Sequence, residues 1–490
     1  MFKRSLPFLA IAAWLFTWIW LSRFAMLDDA LIHLRYASFL FTTHHITYDG
    51  VHPSYGTSSI LYVGLLAVLR SITGSALLPK IVSVVFYVAL VALLLHYGRL
   101  FRKEAATRWI WIGLLVSLLS PMGIRWLTDG METSLTLLLV AFLALLSGRL
   151  CDREITLRDQ ALLGVLAVFL VAVRVEIASL IALAGVVLAV CFPATTKRPW
   201  SRPLGLWCGA SLSLLAIRFS MGSVLPDTAL AKTGVGSLNP LREMAHVTCS
   251  SFVLGIGLSL LFLWSAWLAF QRIRQCRLRS AWLVGWAAAN GIYPLLIAGA
   301  CLRGQTIQGV RYILWPQLFS ILWNLRILSQ LPQAEEERAQ RLRRAMASCY
   351  VVVIVLLAPF DWYYAQLTMS GRSKTFLEMR DANLQQLQGE TLIAADVGFI
   401  GYFSRANICD IDGLVDGRAV ARMDWDERAM RCAAAHPSAL FLDPPQVAKM
   451  APLIDLSHWS TCGSIAFQNV RGDDRHTLMI RDPHEGSCPI

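Results

Sequence analysis

A chain of 490 residues with 56% hydrophobic and only 16% charged residues has a mean hydropathy of +0.54. Stretches of roughly 18 apolar residues recur along it, which excludes a soluble globular protein and makes it a multispanning membrane protein, with the lipid bilayer as its first partner. The formal net charge of +12 does not indicate a nucleic-acid partner, because the basic residues sit in short clusters between apolar segments, the pattern of cytoplasmic loops.

Lys3 and Arg4 open the chain and an apolar run from Leu6 to Leu21 follows. Ser22-Arg23-Phe24-Ala25 is a poor small-residue cleavage site, so this signal-like stretch is expected to stay as a first span. Directly after it comes Asp28-Asp29-Ala30-Leu31-Ile32-His33-Leu34-Arg35-Tyr36. Two adjacent carboxylates at a membrane edge are costly and need a reason. At about 100° per residue, Asp29, His33 and Tyr36 form one helical stripe and Asp28, Ile32 and Arg35 the next. An acid pair and a base are therefore expected to face one small volume. Capping of a helix start is the plainer role for either aspartate, and it is compatible with catalysis.

The first outer loop is expected over residues 25–77. Within it, Ile60 to Leu69 is too short to cross and reads as a re-entrant or interfacial helix. Later spans are expected at Leu78–Leu95, Trp109–Leu119, Ser134–Leu146, Ala161–Val173, Ile177–Cys191, Leu204–Ile217, Thr248–Phe270, Ala281–Ala300, Ile313–Leu325 and Ala345–Phe360. The basic clusters around Arg102, Arg198, Arg274 and Arg341 then all fall on the side of Lys3 and Arg4. About eleven spans, with the N-terminus cytoplasmic and the C-terminus outside, satisfy the positive-inside rule at each of these loops. Counting the short segment as a crossing reverses all of them.

The transmembrane part is expected to occupy residues 1–360. From Asp361 the apolar runs shorten and charges, Gly and Pro rise. Strand-like runs at Thr391–Ala395 and Ala439–Leu442, and a hairpin pairing Phe467–Val470 with Thr477–Ile480, predict a small extracytoplasmic α/β domain over 361–490. Cys409, Cys432, Cys462 and Cys488 lie in it and permit up to two disulfides in three connectivities. The remaining cysteines lie in or beside apolar segments without metal-ligand spacing.

With this topology the polar residues assigned outside form a set. Asp28, Asp29 and Arg35 join Arg125, Asp129 and Glu132, then Arg174 and Glu176, Asp227 and Lys232, and Arg311 with Tyr312. Singly, arginines at span ends snorkel and a lone glutamate is solvated. Together they describe an acid-and-base-lined pocket at the outer boundary, suited to group transfer from a lipid-linked phosphate. There a carboxylate takes the proton of an acceptor hydroxyl that attacks a sugar's anomeric carbon, and Arg or Lys stabilises the departing phosphate.

Asp28-Asp29-Ala30, Ile32, Arg35 and Tyr36 resemble the opening of the first loop in GT-C class polyprenyl-phosphate-dependent glycosyltransferases, in particular a bacterial family that includes the mycobacterial terminal arabinofuranosyltransferase. Gly130-Met-Glu132-Thr133, Arg174-Val-Glu176 and Leu225-Pro-Asp227-Thr-Ala-Leu-Ala-Lys232 are similar to its later motifs, as are Asp396-Val-Gly398-Phe-Ile-Gly401-Tyr402 and Asp410-Ile-Asp412-Gly413-Leu414 in the tail. Thr43 and His45 stand where the family has glycines, Ser59 where it has proline and Asp227 where it has asparagine.

The expectation is thus an α-helical polytopic GT-C-like glycosyltransferase with a small outer α/β domain, placed in the cell (inner) membrane. It would move a sugar from a polyprenyl-phosphate-linked donor to an extracytoplasmic glycan or lipid-linked glycan acceptor. Asp28 and Asp29 would carry catalysis, with Glu132 assisting. Arg35, Tyr36, Arg174, Glu176, Asp227, Lys232 and Arg311 would bind donor phosphate or substrate, and Asp396, Tyr402 and Asp412 the acceptor. The class is divided over a divalent cation, magnesium or manganese; were one bound, Asp28 and Asp29 would hold it. The alternatives are a polytopic transporter or flippase, for which the charges sit at span ends rather than mid-membrane, and a protein glycosyltransferase of the same fold.

Overall fold

The computed structural model describes residues 2–98, 105–150, 154–190, 201–233, 245, 248–275, 279–291, 310–331, 337–469, 472–482 and 488–489. Each expected span coincides with a helix. The first eleven helices are α1 (Phe2–Leu21), α2 (Asp28–Thr43), α3 (Ile60–Arg70), α4 (Leu78–Tyr97), α5 (Ala105–Leu118), α6 (Pro121–Leu127), α7 (Thr133–Leu150), α8 (Leu157–Val173), α9 (Ile177–Val190), α10 (Leu204–Met221) and α11 (Asp227–Thr233). They are followed by α12 (Phe252–Ile273), α13 (Arg279–Asn290), α14 (Val310–Gln330) and α15 (Glu337–Asp381). Among the described residues, five helices are long and apolar enough to cross a bilayer, or six with α5 and α6 taken as one span bent by 65°. The bend falls where Ser120 caps α6 and Pro121 opens it, since proline fits the first turn of a new helix but interrupts an old one. The second half of the Ala281–Ala300 span lies outside the described residues.

At 11 residues, α3 is only about 16 Å long and cannot span the hydrocarbon core. It packs on α2 instead, and its buried Tyr62, Val63 and Leu66 join a core shared with the outer domain. The composition change at Asp361 falls inside α15, which continues for 45 residues. Charges rise there because the helix leaves the apolar zone while its backbone pattern goes on. The α/β layer begins after Asp381.

That layer is a five-stranded sheet in the order β2-β1-β3-β5-β4, from β1 (Thr391–Ala394), β2 (Asn407–Asp410), β3 (Ala439–Leu442), β4 (Trp459–Asn469) and β5 (Gly472–Arg481). β1 lies parallel to β2 and β3, whereas β5 runs antiparallel to β3 and forms the hairpin with β4. Alternate residues of the central strands divide between two cores, as the period-two pleat requires. Leu392, Ala394 and Phe441 pack with Tyr36, Tyr48 and Tyr62 of the first loop. Ile393, Leu440 and Leu442 pack on the far side with Ala429 and Met450, which belong to α18 (Trp425–Ala434) and α19 (Pro444–Met450). Before them in the chain come α16 (Val397–Ser404), between β1 and β2, and α17 (Arg418–Ala421), after β2. Cys409 pairs with Cys432 and Cys462 with Cys488.

Candidate active site

The two stripes of α2 are real, but they face different neighbours. Asp28 and Arg35 turn to the outer domain. Asp28 accepts the amides of Gly398 at 2.7 Å and Phe399 at 2.6 Å, so it caps α16, whose own N-cap residue Asp396 makes no cap bond. Desolvation, reinforced by the Asp396 charge, pushes the Asp28 carboxyl well above its usual range against those two amides. Arg35 donates to the carbonyls of Tyr48 at 2.9 Å, Ala406 at 2.8 Å and Gly401. Its guanidinium is spent on backbone, so the structure does not bring it to the pocket expected for a phosphate. An angle of about 100° between neighbouring residues is enough to divide the acid pair between two surfaces, and the single shared volume expected for them is not observed.

Asp29 and His33 turn the other way, into the membrane domain. The Asp29 carboxylate, 24% exposed, accepts from Arg311 Nη2 at 2.9 Å. His33 bonds Thr57 through Nδ1 at 2.8 Å and places Nε2 3.4 Å from Glu132. Glu132, wholly buried at the start of α7, also lies 3.4 Å from Arg174 Nη1. Burial alone would raise its carboxyl, but the His33 hydrogen bond and the Arg174 and Arg311 charges outweigh that and hold it well below the usual range. Arg174 is itself clamped by Glu176 at 2.7 Å and lies over the Tyr312 ring.

Around these carboxylates the cations have spare donors. Among the described residues, no acceptor meets Nε, Nη1 or Nη2 of the buried Arg125 on the short helix α6, Nε or Nη1 of Arg311, or Nη1 of Arg372. Trp126 carries the Arg125 guanidinium 3.7 Å from its ring centre and that of Arg372 at 5.8 Å. Lys80 joins from α4, bonded to the neutral oxygens of Ser22, Ala25 and Thr128. Asp129 stands among them with Oδ2 unpaired; burial raises its carboxyl to about 6, opposed by Arg372, Arg125 and Arg311. Asp361 fixes α6 in place, accepting the amides of Met122 and Val253, each at 3.0 Å. Buried guanidinium donors without acceptors cost free energy unless an anion answers them. The arrangement is thus a cradle for a phosphate beside a solvent-reaching carboxylate.

No family model matches the sequence, and no curated protein matches it either. Two solved structures are similar throughout. ArnT from Cupriavidus metallidurans bound to undecaprenyl phosphate matches at 12% identity and a TM-score of 0.57, over 97% of this chain and 98% of that one. The apo state of the same protein matches with a TM-score of 0.58 at 12% identity, over 98% of both chains. The fold is GT-C.

On this GT-C scaffold the other expected site residues are distributed as follows. Tyr36 bonds Ser54 at 2.7 Å and accepts the Gly56 amide, deep in the core shared with the outer domain. Asp227 accepts the Tyr55 amide at 2.9 Å and returns its own amide to the Tyr55 carbonyl, which binds α11 to the first loop. The Lys232 side chain lies outside the described residues. Asp396 pairs with His476 at 3.0 Å, Tyr402 lies 3.4 Å from Arg70, and Asp412 sits in a turn organised by Asp410, which accepts the amides of Asp412, Leu414 and Val415. The contacts named for these three lie within the outer domain or join it to α3, rather than in the Asp29 cluster. Lys80 and Arg372 belong to it and were missed. The first reads as a snorkelling residue in the opening turn of an apolar helix; the second stood beyond the composition break. A lysine directly after Pro79, at the outer end of a span, was the available signal for Lys80.

The donor set near the two aspartates does not fit a divalent cation. Both oxygens of Asp28 accept backbone amides and Asp29 faces a guanidinium, and among the described residues no three His, Cys, Asp or Glu side chains converge. Oxygen-rich coordination is what magnesium or manganese requires.

Proposed function

We propose that the protein is an integral-membrane glycosyltransferase that moves a sugar from a polyprenyl-phosphate donor to an extracytoplasmic glycan or lipid-linked glycan. The observation that carries this reading is Asp29 held 2.9 Å from Arg311, a carboxylate open to solvent at the edge of a cradle of unanswered guanidinium donors. A structural neighbour with the same fold was solved with undecaprenyl phosphate, a lipid of the expected donor's chemistry.

In the reaction Asp29 takes the proton of the acceptor hydroxyl as that oxygen attacks the anomeric carbon. The bond from this carbon to the phosphate oxygen breaks, and the polyprenyl phosphate leaves with the electron pair. Arg125, Arg311, Arg372 and Lys80 receive the charge that develops on it, where a water-poor site makes each hydrogen bond count for more. Glu132, fixed by His33 and Arg174, holds α2 and α7 in register. Asp28 acts as a positioning residue that fixes the outer domain over the site. The two disulfides favour an oxidising outer compartment for that domain, and the basic loops favour a cytoplasmic N-terminus.

The test is to supply membranes containing the protein with a radiolabelled polyprenyl-phosphate sugar. Label should enter a glycan or lipid-linked glycan fraction, and Asp29→Asn should abolish it. Label found only in protein, or none transferred, would overturn the assignment.

A further inference from the structure

A second cleft, of about 640 Å³, opens where the ends of α2 and α3 meet the outer domain. We propose that it binds the remote, anionic part of a saccharide acceptor. The proposal deepens the glycosyltransferase reading and rests on it.

Its lining has a distinct chemistry. Arg35, Arg70 and Arg405 contribute guanidinium groups, Gln385 and Gln388 amides, and Tyr402 an aromatic ring, and among the described residues no Asp or Glu lines it. Arg35 is consumed by backbone carbonyls, which leaves Arg70 and Arg405 to meet a ligand. Arg70 is steadied by Tyr402, its Nη1 lying 3.4 Å from the hydroxyl. Arg405 ends α16 with φ at +55°, a left-handed position normally filled by glycine or asparagine. Backbone strain of this kind persists where the surroundings hold the residue in place. Amide groups suit sugar hydroxyls, and a fork of guanidinium donors suits a carboxylate or phosphate.

The location fits an acceptor whose reacting hydroxyl is elsewhere. Arg35, Ser38 and Thr42 line the cleft six to thirteen residues beyond Asp29 on the same helix, so it runs from about 9 Å to about 20 Å from the proposed base along the axis, on the opposite side of α2. Asp29 faces the membrane domain on the other side of α2, so an extended glycan that passes around this helix would place one unit at Asp29 and a charged unit between Arg70 and Arg405.

The experiment is calorimetric titration of the detergent-purified full chain with trigalacturonate, an anionic trisaccharide, and with neutral maltotriose. Trigalacturonate should bind about tenfold more tightly, and Arg70→Gln and Arg405→Gly should each lose about fivefold or more of that affinity. Arg405→Gly should melt no lower than the wild type, because glycine accepts the left-handed backbone, so lost binding cannot be charged to misfolding. Polyprenyl phosphate binding should be unchanged in both variants, and Asp29→Asn should bind trigalacturonate normally. Failure of glycosyl transfer and failure of this site are thus read separately. Equal affinity for the two trisaccharides, wild-type affinity in both variants, or displacement by phosphatidylglycerol vesicles with no saccharide binding would overturn the proposal.

Discussion

Asp28 and Gly398 lie 370 positions apart in sequence and 2.7 Å apart in space, carboxylate to amide. Through this bond an aspartate on the first outer loop caps a helix of the α/β domain, and the glycine allows the approach. A Cβ at position 398 would meet the Asp28 carbonyl oxygen at 2.0 Å and its Cγ at 2.7 Å. Gly401, one turn on, is equally closed by the Tyr48 hydroxyl at 2.0 Å. Gly398→Ala should therefore cost about 1–3 kcal/mol of stability and expose the chain after Asp381 to protease. Gly64→Ala, on open ground in α3, is the control and should be neutral or slightly stabilising. Thermal unfolding in detergent with limited proteolysis checks both, and an unshifted melting temperature for Gly398→Ala would refute the docking.

The neighbouring aspartates should separate by phenotype. Asp29→Asn keeps an oxygen toward Arg311 but cannot take a proton, so transfer should fall by about 10²–10⁴-fold with little change in melting. Asp28→Asn turns an NH₂ group toward one of two amides, leaving donor facing donor at a cost of roughly 1–3 kcal/mol. Melting should fall, while transfer at low temperature is partly retained. Paired melting curves and transfer rates decide it; a stable, inactive Asp28→Asn beside an active Asp29→Asn would exchange the two roles.

Arg125 offers a sharper contrast between folding and binding. Its three donor nitrogens are buried without acceptors, so Arg125→Met removes an unanswered charge and should leave stability unchanged or raised. Polyprenyl phosphate affinity should nevertheless drop about 10- to 100-fold, the loss of charged hydrogen bonds worth roughly 1.5–3 kcal/mol. Equilibrium binding of a fluorescent polyprenyl phosphate measures this. A variant that binds normally would remove Arg125 from the cradle.

The apolar runs located the helices, because burial in lipid writes itself on composition over a whole turn or more. The hairpin around Gly472 and the strand at Thr391 were legible for the matching reason, a period-two pattern between turn residues. Roles within the site were less so. The spacing of Asp28 and Arg35 showed a stripe, yet only α16 beneath it reveals that the stripe serves docking. In the tail motif, Gly398 and Gly401 are explained by close packing against α2 and Tyr48, which no local pattern states. Arg372 was hidden because charge density rose around it while its helix continued toward the site, and β2 because its run, Asn407-Ile408-Cys409-Asp410, has polar residues at both ends and only two apolar ones between.

Asp129 makes the cradle sensitive to pH. Its carboxyl is raised to about 6 chiefly by burial, so the folded protein holds the proton more readily than the unfolded chain. Any stability it contributes is full below the ordinary carboxylate range near about 4 and is lost as pH rises through about 6. The same protonation removes a negative charge from beside Arg125, Arg311 and Arg372. A polyprenyl-phosphate sugar is a phosphodiester whose own charge is constant over this range, so its binding should tighten by about three- to tenfold between pH 7 and pH 5. Asp129→Asn should bind at pH 7 nearly as the wild type does at pH 5 and show a much shallower profile. Retention of the full slope in that variant would assign the proton to another group.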